Sequence, residues 1–198
     1  MKDKYNSLAK PATAGIIVKK SRFMAVASPV ENEEEALLFI GKINKEHSQA
    51  NHNVFAYVIN ERIQRFSDDG EPGGTAGKPV LDVIRHKGLS KVVIVVSRYF
   101  GGILLGAGGL VRAYSEAAVK GIEAAGVVER LLYQELCIIM DYQWLGVVKR
   151  EVENAGGQKV SIEFGQSVQM KAYLRPTAVD DLTKKLNDIT AAQVIIQT

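Results

Sequence analysis

One pattern constrains the fold of this 198-residue chain more than any other, and it lies in the last third. Leu136, Ile138 and Met140 alternate there, and so do Met170, Ala172 and Leu174, 34 residues further on. Between them, Leu145, Val148, Val152 and Ala155 keep helical spacing, matched at the same offset by Val179, Leu182, Leu186 and Ile189. Val160 and Ile162 are likewise matched by Val194 and Ile196. Alternation is the mark of a strand with one buried face, and 3.6-residue spacing marks an amphipathic helix. Each unit therefore reads β-α-β, and two in tandem give a ferredoxin-like βαββαβ domain. Its start is placed near Leu132, which divides the chain into residues 1–131 and 132–198.

The first part is less regular and reads as an α/β domain with glycine-rich loops, which makes the whole chain a two-domain α+β protein. Ala14–Lys19 and Phe23–Ala27 form an expected hairpin through Lys20-Ser21. Asn32 is placed to cap a helix, with Glu35 three residues on and Ala36, Ile40, Ile43 and His47 on one face. Val54–Ile59 and Val92–Val96 are apolar without alternation, as inner strands are. Arg62–Ser67 pairs back onto the first of these. Helices are predicted over about 76–87 and 108–125.

Nine of the 18 glycines fall in two blocks, Ser67–Pro79 and Ser97–Tyr114. Neither block is a standard nucleotide motif. Counting back from Gly77-Lys78 puts Pro72 where a P-loop needs glycine, and Pro79 replaces the magnesium-binding hydroxyl residue. Gly106-Ala-Gly108 is followed by Val111 at the third glycine of the dinucleotide fingerprint. What survives is a weaker anion site at Gly106, Gly108 and Gly109, ahead of a helix N-terminus, which reads equally as a tight turn packed against the sheet. Arg65, Lys78, Arg98 and Arg112 are the candidate phosphate contacts, and Tyr99 the candidate for stacking on a base. His52, Asp68, Asp69, Glu71 and Thr75 form a second candidate cluster, with Thr75 placed to cap the following helix. Asp68-Asp69-Gly70 reads as a turn before it reads as a metal site. His47 and His86 are assigned to packing or helix-end roles. With three histidines and one cysteine no zinc set can be assembled, and neither metal nor cofactor is expected.

Composition narrows the function classes. Residues 1–131 carry 18 Lys/Arg against 14 Asp/Glu, an excess that permits nucleic-acid contact without demanding it. The start has no signal-peptide core and no apolar run reaches spanning length. Cys137 has no partner for a disulfide. The expectation is a cytoplasmic protein without a membrane partner.

The two glycine blocks, with Lys20-Ser-Arg-Phe23 and Ala50-Asn-His-Asn53, resemble the signature of the Impact family. The resemblance implies a first domain similar to the second domain of a small-subunit ribosomal protein. It implies that the second domain is similar to the fifth domain of elongation factor G. It also implies a link to regulation of translation, since eukaryotic relatives modulate a stress-kinase pathway acting on initiation. The separate N-terminal domain of those relatives is not expected here, so their regulatory mechanism is not carried over. Family members often carry His-His-Cys where this chain has His52-Asn53-Val54, so metal or thiol chemistry is not carried over. The resulting expectation is a non-enzymatic RNA- or ribosome-binding protein, with a protein partner in translation. The alternative is an enzyme or phosphate-ligand-binding protein using the glycine-rich cleft.

Overall fold

A computed structural model describes residues 3–197, and the chain divides into two compact units. One comprises residues 6–129. The other comprises residues 130–198 together with 1–5. Strands β1 (Lys4–Leu8) and β7 (Val127–Leu131) pair as a two-stranded sheet that the apolar pattern did not announce. Both are short and mixed in polarity, with Lys4, Asn6 and Ser7 in one and Glu129 and Arg130 in the other, so neither stands out as a buried run.

The N-terminal unit is built on a five-stranded sheet. Its strands are β2 (Ala12–Val18), β3 (Ser21–Pro29), β4 (His52–Val58), β5 (Gln64–Ser67) and β6 (Val92–Tyr99). They run in the order β2-β3-β6-β4-β5, all neighbours antiparallel. The first hairpin turns at Lys19-Lys20, one residue earlier than the pattern predicts. Val18 pairs with Ser21, and both turn residues have positive φ, 44° and 66°. That conformation follows the right-handed twist of the two strands in a two-residue loop.

Strand β6 is central and buried on both faces, which explains its unbroken apolar run. Helix α1 (Glu33–Glu46) covers one face, packing Ile40 and Ile43 onto Val26, Tyr57, Val93 and Val95. The Asn32 side chain accepts from the Glu35 N–H at its start, as the capping pattern requires. Helices α2 (Gly77–His86) and α3 (Ala107–Ala125) cover the other face, over Phe23, Val54, Val96 and Ile94. Alanines on α3 bring its backbone close to the sheet. A Cβ at Gly121 would come within 3.2 Å of the Ala25 Cβ.

The C-terminal unit has the predicted βαββαβ order. Its elements are β8 (Gln134–Met140), α4 (Leu145–Asn154), β9 (Gln158–Phe164), β10 (Val168–Leu174), α5 (Pro176–Thr190) and β11 (Ile195–Gln197). The sheet order β11-β8-β10-β9, antiparallel throughout, is that of a ferredoxin-like domain. Leu136, Ile138, Met140, Met170, Ala172 and Leu174 are all buried against the helices. The repeat fails at one helical position. Ile189 is exposed, and Thr190 turns inward instead, its hydroxyl donating to the Leu186 carbonyl at 2.7 Å. Among the described residues no helix is long and apolar enough to cross a membrane.

Candidate functional site

The first glycine block is organised by Asp68. One of its carboxylate oxygens accepts from Ala76 N and Gly77 N, at 3.1 and 2.8 Å, and the other from Gly74 N at 2.8 Å. An aspartate eight residues upstream thus serves the free amides at the start of α2. Thr75, expected as that cap, donates its hydroxyl to the Pro72 carbonyl instead. It is committed to closing the Pro72–Thr75 turn. Gly77 is glycine for a steric reason, since a Cβ there would lie 2.5 Å from the Ser67 carbonyl oxygen.

The same turn presents Asp69 and His52 to each other. The Asp69 carboxylate accepts from the Asn53 N–H, and its carbonyl oxygen lies 2.7 Å from His52 Nδ1. A carbonyl can only accept, so Nδ1 carries the proton in this pair. Nε2 is left 4.0 Å from Glu71 Oε2.

Glu71 is the hub. Its Oε1 accepts from Arg98 Nη1 and from the Tyr114 hydroxyl, each at 2.7 Å. All three residues are buried, and they come from the turn ahead of α2, from β6 and from α3. The Arg98 guanidinium lies 5.5 Å from the ring centres of both Phe23 and Phe100. Phe23 meets the Tyr114 ring edge-on at 5.1 Å. Burial, followed by the hydrogen bond and the charge of Glu71, pushes the Tyr114 phenol well above its ordinary range.

The second block folds back over the first hairpin. Phe100 N donates to the Asn51 side chain at 2.8 Å, and Gly101 N to the Ser21 hydroxyl at 3.2 Å. A Cβ on Gly101 would overlap the Lys20 carbonyl group, so this crossing admits only glycine. The exposed Lys19-Lys20 turn is thereby pressed against the glycine loop. Beside it, Arg22 lies over the Tyr99 ring at 4.4 Å, and the Tyr99 hydroxyl pairs with His47 Nδ1 at 2.8 Å. A cleft of about 470 Å³ opens between the two blocks. His52, Glu71 and Arg98 form its polar wall, Phe100 and Leu104 its apolar wall, and Gly106 brings the start of α3 to its edge.

The predicted residues divide accordingly. His52, Glu71, Arg98 and Gly106 line the cleft, with Asp68 and Asp69 in the adjoining turn. Arg98 is partly committed, because the buried Glu71 carboxylate holds its Nη1. Arg65 is exposed on β5 and donates to the Gln64 carbonyl, while Lys78 and Arg112 are exposed on α2 and α3. Tyr99, Gly108 and Gly109 lie outside the cleft wall. Among the described residues no three His, Cys, Asp or Glu side chains gather as a metal site. Sequence reasoning missed the role of Tyr114 and the grouping of Lys19, Lys20 and Arg22. The signal for the latter was a basic run spanning a two-residue hairpin turn.

The Impact N-terminal domain model matches residues 19–122, and a domain of unknown function (DUF1949) matches residues 138–193. IMPACT family member YvyE of Bacillus subtilis (strain 168) is 41% identical over 177 residues, 88% of this chain and 82% of its own. IMPACT family member YigZ of Escherichia coli (strain K12) is 31% identical over 186 residues, 92% and 91% of the two chains. A crystal structure of a hypothetical protein superposes with a TM-score of 0.73 at 29% identity, covering 100% of this chain and 98% of that one.

Proposed function

The chain belongs to the IMPACT family, and we propose that it serves regulation of translation as a non-enzymatic RNA- or ribosome-binding protein in the cytoplasm. The observation that carries the reading is the basic and aromatic edge beside the second glycine block. Lys19 and Lys20 project from a tight turn, Arg22 covers Tyr99, and Phe100 is half-exposed next to them. Among the described residues none of these three cations forms an ion pair with an acid of its own chain, so their charge is available to phosphates. Cations beside exposed aromatic faces are what a single-stranded nucleic acid engages, through its backbone and its bases respectively. Arg98 acts here as a strut that holds Phe100 and the Glu71 turn in place. Lys78, Arg65 and Arg112 remain as outlying exposed cations.

The test is binding of the full chain to ribosomes and to a single-stranded RNA oligonucleotide across a series of KCl concentrations. Affinity is expected to fall with salt. In a Lys19→Ala/Lys20→Ala/Arg22→Ala variant, the slope of log K against log salt should shrink by about 2, since each phosphate contact contributes about 0.7 on single strands. Binding that is absent or indifferent to salt would overturn the reading.

A small-molecule role for the cleft is the second reading. It is favoured by the start of α3, which has no side-chain cap where it meets the cleft.

A further inference from the structure

We propose that the cleft between the two glycine blocks is a binding site for a small oxyanion ligand with an apolar or planar body, such as a phosphate monoester or an aryl carboxylate. This rests on the cleft itself and stands apart from the RNA-binding reading. The first observation is Arg98. A guanidinium has five N–H donors, yet only Nη1 has a partner, Glu71, and the buried Nε has none. The residue is 6% exposed and lines the cleft. A desolvated cation with unmet donors costs stability unless an acceptor completes it.

The second observation is the start of α3. Gly106 has a φ of 73° and no side chain caps the helix. Among the described residues no acceptor meets the N–H group of Ala107, which lines the cleft, or those of Gly108 and Gly109 next to it outside the wall. A Cβ at Gly108 would find open space within 4 Å, while the Leu105 side chain packs against Gly109 in the same turn. Free amides and the helix dipole favour a negative group there.

The remaining walls describe the rest of the ligand. Phe100 and Leu104 are exposed apolar side chains at the rim, Phe100 with the Arg98 guanidinium near its ring, and they call for an apolar or flat body. His52 Nε2 and Glu71 Oε2, 4.0 Å apart, offer one polar contact between them. Because Glu71 already offsets the charge of Arg98, the site favours one oxyanion group over a polyphosphate. A volume of about 470 Å³ is that of a small-metabolite site.

The experiment is a thermal-shift and calorimetric titration of the full chain with adenosine 5′-monophosphate, phenyl phosphate, benzoate, inorganic phosphate and, as the body without the oxyanion, adenosine. At least one of the three body-plus-oxyanion probes should raise Tm with concentration. The phosphate and carboxylate arms separate the two chemistries, and adenosine should give no shift. Replacing Arg98 risks the fold, so the variants are at the rim and the helix start. Leu104→Glu places a negative charge on an exposed position and should weaken binding at least tenfold, while Leu104→Lys should not weaken it. Ala107→Pro removes one amide donor at a helix position that accepts proline, and should weaken binding several-fold. Lys19→Ala/Lys20→Ala should bind the probe unchanged, which separates this site from the RNA-binding face. No shift with any probe, an equal shift with adenosine, or unchanged affinity in both Leu104→Glu and Ala107→Pro would overturn the proposal.

Discussion

Each unit buries a glutamate, and the two are treated differently. In the C-terminal unit Glu151 lies on α4 at the edge of an apolar core, and its partner Lys185 has a side chain 56% exposed. In the N-terminal unit Glu71 and its partner Arg98 have side chains only 3% and 7% exposed. Burying both members of an ion pair carries a desolvation cost that packed apolar residues would avoid. The cost is borne beside a cleft, between the two glycine blocks, whereas the core of the C-terminal unit is drawn from Leu, Ile, Met and Val. The contrast separates a unit that sets a fully buried ion pair beside a cleft from one whose buried glutamate pairs with a solvent-reaching lysine.

The largest expected effect breaks the comparison if it fails. Glu71→Ala leaves Arg98 and the Tyr114 hydroxyl without their shared acceptor, and should cost about 3–5 kcal/mol of unfolding free energy. Glu151→Ala, whose partner reaches solvent, should cost much less in the same urea titration followed by circular dichroism. Equal losses would mean that the two glutamates are equivalent. Next comes the packing of the C-terminal unit. Met170→Ala should cost about 2–5 kcal/mol through the cavity it leaves. The loss should be visible in the fluorescence of Trp144, the chain's single tryptophan, which packs against that core.

Smaller effects sharpen the account of the glycines. Gly101→Ala forces a methyl into the Lys20 backbone and should destabilise by about 1–3 kcal/mol. Gly108→Ala meets nothing within 4 Å inside α3 and should stabilise by about 0.5–1 kcal/mol. The smallest effect concerns Tyr57. Its burial, with the hydrogen bond and charge of Glu33, pushes the phenol up from 10 to about 12. A raised phenol pKa favours the neutral form in the folded state. Its contribution is therefore complete below pH 10 and is lost as pH rises towards 12. Urea midpoints measured between pH 10 and 12 should fall more steeply for the native chain than for Tyr57→Phe. The remaining slope includes Tyr114, whose phenol is raised by burial and by Glu71, and Tyr173, whose phenol is raised by its hydrogen bond to Glu135.

The ferredoxin-like order of the C-terminal unit was legible because its strands and helices each have one buried face, and one-sided burial writes itself as a period. The central strand β6 was legible from its apolar run, and the caps of α1 from Asn32 and Glu35. The candidate site was only partly legible. The two blocks were recognisable as loops, but which of their charged residues turn inward was not. Arg98 continues a strand whose residues up to Ser97 are buried, and that environment, more than its own chemistry, turns it inward. Thr75 looks like a helix cap in sequence, yet Asp68 is the residue that reaches the amides.

What the sequence determined by itself is the order of elements, the apolar faces and the places where the backbone must turn. These depend on residues near one another along the chain, whose spacing is fixed by 3.6-residue and two-residue periods. Only the tertiary structure decided that Glu71, Arg98 and Tyr114 share one carboxylate oxygen, and that Gly101 lets the Lys19-Lys20 turn approach the second block. Those contacts join residues 27 to 81 positions apart. Hydrogen bonds and steric exclusion act over a few ångströms of space, and no local period in the sequence records which distant residues the fold will bring within that range.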